Sequence, residues 1–468
     1  MRSKREEIER SVLVRIKPSP ELYEEGRSIF SEVANLVRAL AAKEGWTCDV
    51  RLEGSFAKDT WLATSPELDI FVLFDEGVSG DKIKTELFPR LLKIFEAYEP
   101  VVKYSEHPYL SFQRKKFKVE VVPATRARPG EMRTAVDRTP YHTKYVLEHS
   151  NEELRDQMRL LKQFSKAVGV YGAEIAVEGF SGYLLELLTI YYGGFGEVLE
   201  AASKWEPPVV IDLEGYYRDE REAVERLGKR PLVVVDPVDE RRNVASALSL
   251  DKMMEFSMAS RLYLTRPSVY YFFPEELPSS ERLLELLIEL AKHVVVVEVR
   301  LRAPLPPDTL WGEAKRLSRN VSSFLENEGY DLIRCSTWTN ESTRALVACL
   351  VEEPFKPGPK KHAGPPVTSF EHTLRFVEAY AGRPGSGPWI EGGRLYALKE
   401  RRHVSAPAAL ESALRSLLVS HLREGEASAY SLSWRLDLLD EEPGAWLREF
   451  LLGKPRWLLP YCLELEKA

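Results

Sequence analysis

Over the first forty residues, apolar side chains recur at mostly three- and four-residue spacing (Leu22, Ile29, Phe30, Val33, Val37, Leu40). This is a helical period, punctuated by Pro18 and Pro20. The pattern then switches. Residues 48–53 read as a short strand, Gly54-Ser55 as a turn, and 56–62 as a short helical stretch. Residues 68–74 predict a strongly apolar strand. Residues 86–98 predict an amphipathic helix with Pro89 in its first turn, and 117–122 a further strand ended by Pro123.

Helices dominate the next stretch. Ser150 with Glu153 forms a capping-box pattern, Leu154, Met158, Leu161, Phe164 and Val168 make one apolar stripe, and Gly169 ends it. Residues 180–190 predict a more apolar, more deeply buried helix. A short strand over 233–235 leads into Asp236-Pro237, and 249–260 is helical again. The C-terminal part reads strand (293–302), helix (307–327), strand (331–338), strand (343–351). That β-α-β-β order predicts a ferredoxin-like or RNA-recognition-motif-like unit, without the aromatic signature that stacks single strands. Residues 355–366 (FKPGPKKHAGPP) read as a linker, followed by a helix over 371–380, a hairpin at Gly392-Gly393 and terminal helices.

Composition narrows the class. A length of 468 residues, at roughly 150 per domain, predicts about three domains. With 44% hydrophobic and 29% charged residues the chain is globular rather than disordered. No apolar run approaches the ~20 residues of a membrane span, and MRSKREEIER lacks the apolar core of a secretory signal. The expectation is a soluble cytoplasmic protein with no membrane contact. The four cysteines (Cys48, Cys335, Cys349, Cys462) form no CxxC pair, so neither a zinc knuckle nor a redox motif is present. A reducing cytosol predicts four reduced thiols, with Cys335–Cys349 the pairing left open. The net charge of −7 argues against a protein that coats polyanions wholesale. Charge is local, however: residues 101–145 carry ten Lys/Arg against four acids. Such a zone suits a polyanion-handling cleft, and it equally suits a solvated surface.

The candidate chemistry lies in Gly54-Ser55 followed by Glu67-Leu68-Asp69. Side chains alternate along a strand, so Glu67 and Asp69 share a face, where two carboxylates repel unless a cation neutralises them. Mg²⁺ fits, because it takes oxygen ligands and keeps positions open for water and phosphate. Glu120, in the middle of a strand, is positioned to supply a third carboxylate. Gly54-Ser55, at the turn into a helix, offers backbone N–H groups and a hydroxyl to a triphosphate.

A Gly-Ser turn, an acid-x-acid strand and a later acidic strand together resemble the polymerase-beta nucleotidyltransferase superfamily. Further segments narrow the resemblance: SEHPY (105–109), TAVDRTPYHTKY (134–145), RLLKQF (159–164), GVYGAEI (169–175), GFSGYLLELL (179–188) and VVDPVDERRNVASALSL (234–250). In this order they resemble the archaeal, class I CCA-adding enzymes, densely over residues 50–260 and as an element pattern to the C-terminus. The resemblance implies a multidomain α+β fold. A nucleotidyltransferase palm, a mixed sheet flanked by helices, would occupy 1–147 (head), and a helical nucleotide-contacting domain 148–262 (neck). A ferredoxin- or RRM-like body would occupy 263–356 and a tRNA-binding tail 357–468. It implies Mg²⁺ and template-independent addition of C, C and A to a tRNA 3′ end from CTP and ATP, and it suggests a homodimer. Carried over by motif, the catalytic metal ligands are Glu67, Asp69 and Glu120. Nucleotide and phosphate contacts are Ser55, Lys58, His142, Lys162 and Tyr171, with Arg242 near the base being selected.

Two positions depart from the family pattern. Glu120 stands where the family has Asp, one methylene shorter, and Lys58 stands where the family has Arg, which loses the planar fork for phosphate. Two other readings compete: a poly(A)-polymerase-like or oligoadenylate-synthetase-like nucleotidyltransferase, and a degenerate homologue that binds RNA without catalysis. Intact Ser55, Glu67 and Asp69 weigh against the second.

Overall fold

The structure is a computed structural model that describes residues 2–104, 108–126, 135–274, 281–453 and 455–458. The expectations at Ser105, Glu106, His107, Thr134 and Cys462 lie outside the described residues. The chain folds as two units, Met1–Glu276 with Arg456–Ala468, and Leu277–Pro455.

The first unit opens with helices Arg2–Ile16 and Pro20–Glu44. Ser19 caps the second by accepting from the Leu22 N–H, and left-handed Gly45 ends it. Five strands follow: β1 (Cys48–Glu53), β2 (Glu67–Phe74), β3 (Val101–Tyr104), β4 (Pro108–Arg114) and β5 (Phe117–Thr125). They form one sheet in the order β1-β2-β5-β4-β3, in which only β2 and β5 run parallel. Alternation gives this sheet two unlike faces. Leu68, Ile70, Val72, Phe74, Val119 and Val121 face the helices Pro20–Glu44 and Phe88–Phe95, joining Ile29, Val33, Val37 and Leu91 in one core. Glu67, Asp69, Lys118 and Glu120 take the other face.

β5 runs through Pro123 rather than ending there. The Lys118 and Arg126 N–H groups donate toward β2, to Pro66 and Phe74, so odd-numbered residues of β5 turn theirs toward β4. Pairing with β4 stops at Val121, and the missing N–H of Pro123 therefore costs no ladder bond. The predicted helix over 56–62 is only Gly54–Ala57. The chain turns at Asp59 (φ 56°), whose carboxylate is held by Arg155, Arg159 and the Tyr23 hydroxyl.

Helices Glu152–Val168, Gly182–Tyr192, Phe195–Ala202 and Leu250–Thr265 pack with Arg2–Ile16 around Leu161, Phe164, Leu184, Leu188 and Phe256. The cap of Glu152–Val168 is Asn151, which accepts from the Leu154 N–H at 2.8 Å, rather than Ser150, whose hydroxyl donates back to Val146 O. A small sheet of β6 (Val209–Ile211), β7 (Leu232–Asp236) and β8 (Asp239–Asn243) completes this unit.

The second unit carries β9 (Val294–Arg300), β10 (Leu332–Thr339), β11 (Arg344–Val351) and, after an insertion, β15 (Glu426–Ser431). Their antiparallel order β10-β11-β9-β15 is the ferredoxin-like arrangement expected from sequence. Helices Pro307–Asn327 and Ala406–Leu417 cover one face. Helices Glu281–Ala291 and Gly444–Leu452 cover the other, over Val294, Val296, Leu346 and Ala348. A sheet buried on both faces has no use for exposed stacking aromatics, which accounts for the missing signature.

The insertion is a second small sheet of β12 (Lys360–Pro366), β13 (Trp389–Glu391) and β14 (Arg394–Lys399), with helix Phe370–Tyr380. The stretch read as a linker is thus partly strand. β12 is an edge strand, which tolerates Pro365 and Pro366, and a Cβ on Gly364 would stand 2.7 Å from the Phe376 ring. The thiol expectation also fails at one pair: Cys335 and Cys349 face each other across β10 and β11 and form a disulfide. The antiparallel register sets the two side chains directly opposite on one face, within bonding reach of each other. Among the described residues no helix is long and apolar enough to cross a membrane.

Candidate active site

The acidic face of the first sheet is set by strand register. Asp69 pairs with Glu120 and Glu67 with Lys118 across the parallel β2–β5 ladder, and Glu53 pairs with Asp69 across β1–β2. Paired residues share a face, so Glu67, Asp69 and Glu120 gather on one side of two adjacent strands. Burial, then Glu120 and Glu67, push the Asp69 carboxyl up to about 7, against the pull of Lys58 and Lys118. Three acids held this way repel one another. As placed, no three acidic, histidine or cysteine side chains among the described residues converge on a point that could ligate one ion. Lys118 stands among them instead, its Nζ 2.8 Å from Glu120 Oε1 and 3.5 Å from Glu67 Oε1. Oxygen donors on a rigid, partly open face suit a hard divalent cation, and the register concentrates negative charge there by setting Glu120 beside Asp69 with Glu67 on the same face.

Gly54 has no substitute at the edge of this face. Its φ is +66°, and a Cβ there would lie 1.8 Å from Asp69 Oδ2. Ser55 follows as the second residue of the short helix.

Beside the carboxylates lies a buried group of lysines. Lys58 Nζ donates to Glu186 Oε2 at 2.5 Å, and the Thr60 hydroxyl donates to Glu186 Oε1 at 2.6 Å. Burial works against the Glu186 charge, but Lys58, Lys162 and Thr60 outweigh it and hold the carboxyl below its usual value. Lys162 Nζ donates to Thr60 O at 3.1 Å. Burial pulls its ammonium down to about 8, with Glu186 opposing and Lys58 and Lys166 adding to the fall. A Cβ on Gly182 would meet the Tyr171 hydroxyl at 3.1 Å and Lys162 Nζ at 3.9 Å, so glycine leaves both polar ends room. Burial and nearby acids raise the Tyr171 hydroxyl, which therefore stays a donor. Lys58, Lys162 and Tyr171, from three separate segments, thus meet at one place.

His142 and Arg242 meet at another. Both bind Asp236, His142 Nε2 at 3.0 Å and Arg242 Nη1 at 2.7 Å from Oδ2. The His142 ring stacks on Tyr183 with centroids 3.8 Å apart. Burial lowers the His142 pKa despite Asp236, while Asp236, though buried, is held below its usual range by His142 and Arg242. At neutral pH the ring is uncharged and its Nε2–H donates to the carboxylate.

The family model for the second domain of tRNA nucleotidyltransferase matches residues 156–273, and that for the C-terminal domain of CCA-adding enzyme matches 292–431. The CCA-adding enzyme of Sulfurisphaera tokodaii is 36% identical over 454 residues, 96% of this chain and 99% of that protein. That of Sulfolobus acidocaldarius is 33% identical over 459 residues, 96% of this chain and 99% of that protein. The chain belongs to the CCA-adding enzyme family. Among solved structures, Cid1, an RNA terminal uridylyl transferase, matches with TM-score 0.45 and 17% identity over 58% of this chain and 98% of its own.

In this member of the CCA-adding enzymes, several residues of the site escaped sequence reasoning. Glu186 lies inside the apolar run Leu184–Leu188, where a buried acid demands a buried cation; that demand is the one signal the sequence carries. Asp236 lies one residue beyond the strand expected over 233–235, yet it ends the wholly buried strand β7 and is itself 0% exposed. Lys118 is one of the ten basic residues of 101–145, and that count does not place it among the acids. Glu53 is 4% exposed with Oε2 lacking a partner, and its place just before Gly54 gave no hint of that.

Proposed function

We propose that this chain adds C, C and A to the 3′ end of tRNA from CTP and ATP without a nucleic-acid template, with Mg²⁺, releasing pyrophosphate. The observation that carries this reading is the register that sets Asp69 beside Glu120, with Glu67 on the same face and Gly54 against Asp69, in a chain of the CCA-adding family. Glu67, Asp69 and Glu120 would hold the metal ions. When bound, those ions would favour ionisation of the tRNA 3′-hydroxyl and offset charge on the departing pyrophosphate.

The remaining roles fall to the chain's own groups. Ser55 and the backbone of the Gly-Ser turn bind triphosphate oxygens. Lys162 and Lys58 supply positive charge to the phosphates, and Tyr171 donates a hydrogen bond. His142, neutral and bound to Asp236, fixes the position of Arg242, which lies near the incoming base. In this reading the β1–β5 sheet is the head expected within 1–147 and the helices of 148–262 are the neck; the body expected at 263–356 is completed by helix Ala406–Leu417 and β15, from the span expected for the tail (357–468).

The test is sequential incorporation. With Mg²⁺ and CTP alone, a tRNA lacking its 3′ end gains two C residues; adding ATP gives one A and a stop. AMP incorporation alone, or long homopolymer tails, would contradict the assignment and favour a poly(A)-type enzyme.

The Asp69 carboxyl makes ion binding pH-dependent. Its protonated form does not ligate, so Mn²⁺ affinity, measured by calorimetry, should rise up to about tenfold per pH unit below pH 7 and level off above. The ion-free fold behaves oppositely. A carboxyl whose folded pKa exceeds its unfolded value costs stability as pH rises toward about 7, after which the penalty is constant. An affinity flat from pH 5.5 to 8 would remove Asp69 from the ligand set.

A further inference from the structure

Lys118 lies opposite Glu67 in the β2–β5 register, one pleat before Glu120 on the same strand face. Its Nζ therefore reaches both acids, at 3.5 Å and 2.8 Å. Burial disfavours the ammonium, but Glu120 and Glu67 outweigh that and keep it charged. A second lysine, Lys103, stands farther off, 3.9 Å from Glu120 Oε1.

We propose that Lys118 is the resident counter-ion of the carboxylate face: in the ion-free chain its ammonium fills the place between Glu67 and Glu120 that a divalent cation must take. The inference rests on the metal-site reading above. Ion uptake at this face is then an exchange of cations, not entry into an open cage. The exchange is feasible because the Lys118 side chain is 38% exposed and that of Glu67 47%, so the displaced ammonium swings into water while still tethered. It also accounts for the acids failing to converge as placed, since the lysine occupies the space between two of them. A single positive charge within hydrogen-bond reach of two ligands must weaken the binding of a third, divalent charge there.

The experiment is Mn²⁺ binding to the full-length chain without nucleotide or RNA, followed by the electron paramagnetic resonance of free Mn²⁺. It is run at low salt and pH 8.5, where Asp69 is ionised. Lys118→Met is expected to bind Mn²⁺ about tenfold more tightly than the wild type. Lys118→Arg, which keeps the charge, should stay within about twofold of the wild type. Lys115→Met, whose lysine pairs with Glu25 at 3.2 Å away from the site, should be unchanged. Ion-free Lys118→Met should melt below the wild type and be stabilised more by Mn²⁺. If the methionine variant does not fold, Lys118→Gln, of similar length and neutral, carries the same expectation. An affinity equal to or weaker than wild type in the neutral variants, while Asp69→Asn loses Mn²⁺, would overturn the exchange and leave the metal site standing. No Mn²⁺ uptake by the wild type would overturn both.

Discussion

Asp69→Asn is expected to lower CMP and AMP incorporation by more than about a thousandfold while tRNA binding in a gel shift persists. The reason is positional. Asp69 is the acid flanked on both sides, by Glu53 on β1 and by Glu120 on β5, and its carboxylate packs against the Gly54 turn. The amide has nearly the same shape but carries no charge, so the fold and the RNA surface survive. The same substitution should raise the melting temperature of the ion-free protein at pH 8, because a carboxylate held against Glu67 and Glu120 is replaced by a neutral group. Loss of activity with gain of stability separates a ligand from a structural acid. Glu67→Ala should behave alike in activity. If Glu120→Ala kept full activity, Glu120 would not be a ligand.

The second large effect belongs to the buried pair of Lys58 and Glu186. Their side chains are 8% and 2% exposed and their charged ends are 2.5 Å apart. Removing one partner strands a charge in the interior, which costs about 3–5 kcal/mol. Glu186→Leu should therefore lower the urea midpoint sharply, and Lys58→Met nearly as much. The double replacement should recover part of the loss, leaving a coupling of roughly 1–3 kcal/mol. Lys162 limits the recovery, since Glu186 also supports its charge. Strictly additive losses would show that the pair is not coupled. Lys58→Arg restores the residue type of the family pattern, keeps a positive charge facing Glu186, and should cost less than Lys58→Met.

What the chain reveals without coordinates follows the range of the interactions. The acid-x-acid pattern on a strand is local, and two-residue alternation alone puts Glu67 and Asp69 on one face. The β-α-β-β order of the second unit is equally local, and it yields the ferredoxin-like sheet. Partners are not local. Lys58 and Glu186 are separated by 128 residues, and His142 and Asp236 by 94. No spacing rule joins them; only the desolvation cost of each isolated charge signals that a partner must exist. Pro123 does not end the strand because no ladder bond depends on its N–H: among the described residues the β4–β5 pairing reaches only to Val121. The Pro/Gly-rich composition of 355–366 hid β12, an edge strand of a sheet too small to show a clear period.

In the proposed reaction Glu67, Asp69 and Glu120 hold the ions that drive nucleotidyl transfer. The most direct measurement is anomalous diffraction from crystals soaked with Mn²⁺ and a non-hydrolysable CTP analogue. The predicted result is Mn²⁺ density within about 2.2 Å of oxygens of all three carboxylates, with Lys118 swung aside. Density bound elsewhere, or a triphosphate seated away from Gly54-Ser55 and these acids, would contradict it.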